Sequence, residues 1–78
     1  MYIDNEKMVE KITNWLFNKM REKKIPLWKC ADETGIGLES LKYAKKNNKM
    51  TITQIVLVCH LLNTSVKQVI DKIDNRKE

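Results

Sequence analysis

This sequence predicts an all-α domain built from five short helices around one core. Three observations predict it. Only two glycines and one proline occur in 78 residues, too few for a fold rich in hairpin turns. Apolar residues recur at spacings of three and four, and no stretch alternates with period two. Residue types that start or stop helices stand in the gaps between those runs.

The first helix takes Asp4 or Asn5 as its cap, with Glu6 in its first turn at the positive end of the helix dipole. Met8, Ile12, Trp15, Leu16 and Met20 follow on one face. Pro26 disfavours helical geometry at Ile25, so the end is expected near Lys23 or Lys24. A second helix runs from about Leu27 to Thr34, with Pro26 at its start and Leu27, Cys30 and Ala31 inward. Gly35 supplies a left-handed stop and Ile36 points back to the core. Gly37 caps a third helix, about Leu38 to Lys46, which buries Leu41 and Ala44. Asn47 and Asn48 make the next turn, since asparagine tolerates positive φ.

Thr51 and Gln54 form a capping box at the head of the fourth helix. Ile52, Ile55, Val58, Cys59 and Leu62 line its inner face. Asn63 is its left-handed stop. Ser65 and Gln68 form a second capping box, which opens a fifth helix on Val66, Val69, Ile70 and Ile73. The last residues, 74–78, are expected to fray. No repeat, low-complexity tract or linker interrupts residues 1–78, which read as one domain.

Fifteen basic residues face ten acidic ones, a net charge of +5 with a pI near 9.3. Its placement says more than its size. Residues 19–29 carry five basic side chains and one acid, Glu22, and residues 42–49 carry four lysines and no acid. The first ten residues are acidic by comparison. A cationic segment of this kind favours a polyanionic partner. Cys30 and Cys59 lack metal-ligand spacing and read as small buried thiols. The N-terminus MYIDNEK is no signal peptide, and the apolar run IVLVCHLL is too short to span a bilayer. A cytoplasmic protein without membrane contact is expected.

The segment from Cys30 to Lys46 concentrates the functional signal. A helix carrying small Ala31, then Gly35-Ile36, a tight turn and a second helix with Leu41 inward make a helix-turn-helix pattern over about residues 27–46. With three more helices in these places, the chain resembles DNA-binding domains of the Cro and λ-repressor type, the XRE family. The resemblance covers about Leu16 to Ile73. It is carried by Ala31, Gly35, Ile36, Leu41, the T-I-T-Q-I start of the fourth helix and the L-L-N-T-S-V-K-Q-V-I that leads into the fifth. That family commonly has Ser or Thr followed by Gln where this chain has Pro26 and Leu27, and a Ser or Thr cap where Gly37 stands.

The resemblance implies a transcriptional regulator of bacterial, phage or mobile-element type that lays its third helix in the major groove of double-stranded DNA, without cofactor or metal. In this register Leu38, Glu39, Lys42 and Tyr43 become base-reading candidates. Lys42 can donate to guanine O6 and N7, Glu39 can accept from cytosine N4, and Leu38 can touch a thymine methyl. Tyr43 also reaches a phosphate or sugar. Lys29, Ser40, Lys45, Lys46, Asn47, Asn48 and Lys49 are backbone candidates, which set position rather than sequence. Glu39 near a helix start also stabilises the dipole with no partner at all.

Two features stay open. Val56, Leu57 and Leu61 are more apolar than the fourth helix's inner face requires. They form a homodimer interface, or they lie under Tyr2 and Ile3 or against the fifth helix. Trp28 packs over lysine stems, touches the DNA backbone or meets a protein. An enzyme is not expected: His60, the one histidine, adjoins Cys59 on a helix, where neighbours face apart, and no phosphate loop or paired carboxylate appears. Nor is a small-molecule ligand evident. The rival reading is a protein-binding module on the same fold, an antirepressor or small regulatory partner, that has lost DNA reading.

Overall fold

The computed structural model describes residues 6–74. They form α1 (Glu6–Glu22), α2 (Leu27–Thr34), α3 (Leu38–Asn47), α4 (Ile52–Leu61) and α5 (Val66–Asp74), and no strand occurs among them. The expected cap at Asp4 or Asn5, the cover by Tyr2 and Ile3, and the fray at 75–78 lie outside the described residues, whereas Asp74, expected to fray as well, still belongs to α5.

α1 is the central pillar. Ile12 and Leu16 are fully buried on it, and it packs against α3, α4 and α5. α2 lies across α3 and α4. Leu41 of α3, Ile55 and Val58 of α4 and Val69 of α5 complete the fully buried apolar centre, with Cys30 of α2 and Cys59 of α4. Burial pushes both thiols up from the ordinary cysteine value, and for Cys30 a hydrogen bond with Thr34 opposes the shift in part.

The helix ends are made locally. α1, α3 and α4 close with the same backbone motif, in which one residue turns left-handed and two N–H groups reach back to carbonyls of the last turn. At α4, Asn63 (φ 63°) donates to His60 O at 3.0 Å and Thr64 to Cys59 O at 2.9 Å. At α3, Asn48 (φ 55°) donates to Lys45 O and Lys49 to Ala44 O. Asn47 therefore extends α3 instead of joining the turn. At α1 the left-handed residue is Lys24 (φ 60°), with Ile25 donating to Met20 O at 2.9 Å. Lysine carries no sequence signal for that geometry. Both capping boxes form: Thr51 with Gln54 at 3.0 and 3.1 Å, and Ser65 with Gln68 at 3.1 and 3.2 Å.

The two glycines differ in kind. Gly35 sits at φ +82°, so any side chain there strains the backbone, although a Cβ would meet nothing within 4 Å. Gly37 has φ −62° and ψ 140° and caps α3 without a side-chain bond. A Cβ there would meet only Ser40 Oγ, at 3.8 Å. Gly37→Ser is therefore expected to stabilise the fold by about 0.5–1 kcal/mol, through a new cap and a stiffer unfolded chain. A urea midpoint that stays put or falls would contradict this.

Three packing expectations need correction. Ile52, expected on the inner face of α4, is 52% exposed, because the first turn of α4 projects past the edge of the core. Trp15, expected in the core, is only half-buried; it packs against the core's rim with Lys19 Nζ 5.2 Å from its ring centre. Phe17, Met50 and Thr13 are buried, and the apolar spacing had marked none of them.

Candidate nucleic-acid interface

Two hydrophobic side chains fix which way α3 faces. Leu41 and Ala44 are the buried residues of the helix, so at about 100° per residue Lys42, Tyr43 and Lys46 must point away from the bundle. They do. Glu39, Ser40, Lys42, Tyr43, Lys45, Lys46 and Asn47 are all exposed, Tyr43 by 70%. Leu38 differs: it is half-buried at the head of the helix, so only part of its side chain is free for a methyl contact.

Hydrogen bonds hold the turn that aims this helix. Thr34 Oγ1 donates to Cys30 O at 2.7 Å and accepts from Ile36 N at 3.2 Å. Gly35 N donates to Ala31 O at 2.9 Å. One threonine thus ties the last turn of α2 to the first residue beyond the glycine. At the far end of α3, the buried hydroxyl of Thr13 accepts from Met50 N at 3.0 Å, which fixes the loop carrying Lys49 to α1.

Ion pairing divides the charged candidates. Lys42 Nζ lies 3.8 Å from Glu39 Oε2, so two proposed base readers face each other across one turn. Both are exposed, and a pair of this kind contributes little and opens readily. Lys29 stands 3.9 Å from Glu33, and Lys49 stands 3.7 Å from Glu6. Lys45 and Lys46 have no acidic partner among the described residues. Asn47 Nδ2 donates to Tyr43 O at 2.9 Å, and Asn48 is half-buried in its left-handed cap, so both asparagines serve the helix end first.

Arg21 was not among the sequence candidates. It lines a hollow of about 210 Å³ together with Pro26, Leu27 and Lys45. Folding brings it to Lys45 across the start of α2. Twenty-four positions separate the two in sequence, and no local pattern could have joined them. A larger hollow, about 600 Å³, lies between α3 and the head of α4, lined by Glu39, Ser40, Tyr43, Lys49, Thr51 and Gln54 among others. Of the α4 candidates, Val56 is 37% exposed, whereas Leu57 and Leu61 are half-buried and Leu61 packs on the core. The exposed apolar strip on α4 is Ile52 with Val56, one turn apart. Cys59 is buried and His60 exposed, so they face apart. No helix among the described residues is long and apolar enough to cross a membrane.

What these helices present is an outward cationic rod, braced at both ends by buried or half-buried threonines. No family model, curated protein or solved structure matches the chain.

Proposed function

We propose that this protein is a transcriptional regulator of the Cro and λ-repressor type, which reads double-stranded DNA with α3 in the major groove. One observation carries the reading: Leu41 and Ala44 are buried while Lys45 and Lys46 stand exposed and without acidic partners among the described residues. Phosphates are the natural counterions for such a surface. Lys42 and Glu39 read base edges once their weak pair opens, and Tyr43 reaches the sugar–phosphate wall. Lys29, Ser40 and Lys49 set register on the backbone, with Lys45 and Lys46 supplying the uncompensated charge. A homodimer formed through α4 would centre on Ile52 and Val56 and read two half-sites about 34–36 Å apart.

The test combines salt and substitution. Affinity for duplex DNA should fall steeply with salt, with a log–log slope near −0.9 per phosphate neutralised. Lys46→Ala should weaken all sequences alike and flatten that slope by about one contact, while Lys42→Ala should change the sequence selected from a random pool. No binding of any duplex at low salt would overturn the proposal. The exposed apolar strip of Ile52 and Val56 supports a second reading as a protein-binding module. That reading predicts a stable complex with a protein partner and no duplex affinity at any salt.

A further inference from the structure

We propose that Trp28 packs against the deoxyribose–phosphate backbone of the bound duplex, adding an uncharged contact to those of the lysines; this rests on the DNA-binding reading above. Trp28 is 64% exposed, in a domain that has only two tryptophans to bury. Leaving an indole in water forgoes a large apolar burial, which a small domain can ill spare. Among the described residues the ammonium-over-indole contact belongs to Lys19 and Trp15, not to Trp28. Its indole N–H has no acceptor among the described residues.

The surroundings select the occupant. Trp28 lies in the first turn of α2, next in sequence to Leu27, which lines the hollow shared by Arg21 and Lys45. Exposed Lys23 and Lys24 precede that turn and Lys29 follows Trp28. Asp32 stands one turn on, on the same face of α2, so room for an anion is confined to the N-terminal side of Trp28. A protein contact would want further apolar neighbours, because interface anchors cluster. No other large apolar residue of α2 is exposed; its remaining exposed residues are Lys29, Asp32 and Glu33. A lone exposed indole at the N-terminal end of α2, which Lys23 and Lys24 precede, matches a nucleic-acid backbone, which offers an apolar sugar face next to phosphate oxygens. The ring covers the sugar and the N–H donates to a phosphate. α2 packs on α3, and Lys45 of the last turn of α3 shares a hollow with Pro26 and Leu27, so the start of α2 lies on the same side as that end of the proposed reading helix.

Charge gives this contact a distinctive signature. Trp28→Ala should weaken every duplex by about tenfold, yet leave the salt slope unchanged, because no phosphate loses a counter-charge. A lysine substitution lowers affinity and slope together. In Trp15→Phe, Trp28 is the only tryptophan left, and its emission can be followed while a fluorescein-labelled 20-base-pair random duplex is titrated at low salt. Protection of Trp28 from acrylamide should grow in proportion to the bound fraction read from the label's anisotropy. If the duplex binds and Trp28 stays as open to acrylamide as in the free protein, the inference is overturned and the DNA reading stands. If the labelled duplex does not bind, the reading falls and the inference with it. If Trp28→Ala leaves DNA affinity intact but abolishes association with a protein, Trp28 belongs to a protein interface and the inference is again overturned.

Discussion

Leu41→Ala is expected to destabilise the protein by about 2–5 kcal/mol, the usual range for truncating a fully buried leucine. Leu41 is wholly buried, and with Ala44 it is what fastens α3 to the rest of the bundle. Alanine at position 41 would leave two small side chains and half-buried Leu38 holding a ten-residue helix whose other face is charged. A domain of this kind has about 5–15 kcal/mol of stability in all, so much of the margin disappears. Each kcal/mol lost should lower the melting temperature by about 4–8 °C. Leu41→Met keeps most of the volume and should cost less than about 1.5 kcal/mol. Chemical denaturation of the two variants checks both values, and a loss below about 1 kcal/mol in Leu41→Ala would mean that Leu41 does not anchor the helix.

Thr13→Val is expected to cost about 1–3 kcal/mol with almost no change of shape. The hydroxyl of Thr13 is fully buried and accepts from Met50 N at 3.0 Å, joining the middle of α1 to the connection between α3 and α4. Met50 lies outside both helices and has no ladder carbonyl for its N–H. Valine would strand that donor away from water. Thr13→Ser keeps the acceptor and loses only a methyl group. Hydrogen exchange tells the two apart: the Met50 amide should exchange faster in Thr13→Val and stay protected in Thr13→Ser. Equal protection in both would dismiss the tie. Because Lys49 is the next residue back, loosening this tie should also blunt whatever contact Lys49 makes.

Local chemistry explains which parts of the fold could be read in advance. Thr51 with Gln54 and Ser65 with Gln68 satisfy helix-start amides within four residues, and both boxes form. Gly35, Asn48 and Asn63 take the left-handed conformations their side chains tolerate best. Lys24 adopts the same conformation without any such preference, because Pro26 and the burial of Met20 dictate where α1 must stop. Thr13 was illegible for a related reason. A threonine on a helix reads as polar until a distant donor arrives to satisfy it. Ile52 and Trp15 failed in the opposite direction: both are apolar at helical spacing, but each lies where the core runs out of neighbours.

Much the same division holds at the candidate interface. The outward set on α3 followed from Leu41 and Ala44 alone, since burying two positions of a helix fixes the direction of all the others. Which charges are already compensated could not be read from spacing. Lys49 meets Glu6 and Lys45 meets the hollow of Arg21 only after α1 has packed beside them.

The sequence by itself determined that this chain makes five helices, where most of them cap, and which face of α3 is cationic. Those outcomes depend on backbone preference and on side chains a few residues apart. Only the tertiary structure decided that Thr13 holds Met50, that Arg21 stands by Lys45, and that Trp28 and Ile52 remain in water. Those outcomes depend on how far one shared core extends, a quantity set by all five helices together and by no segment alone.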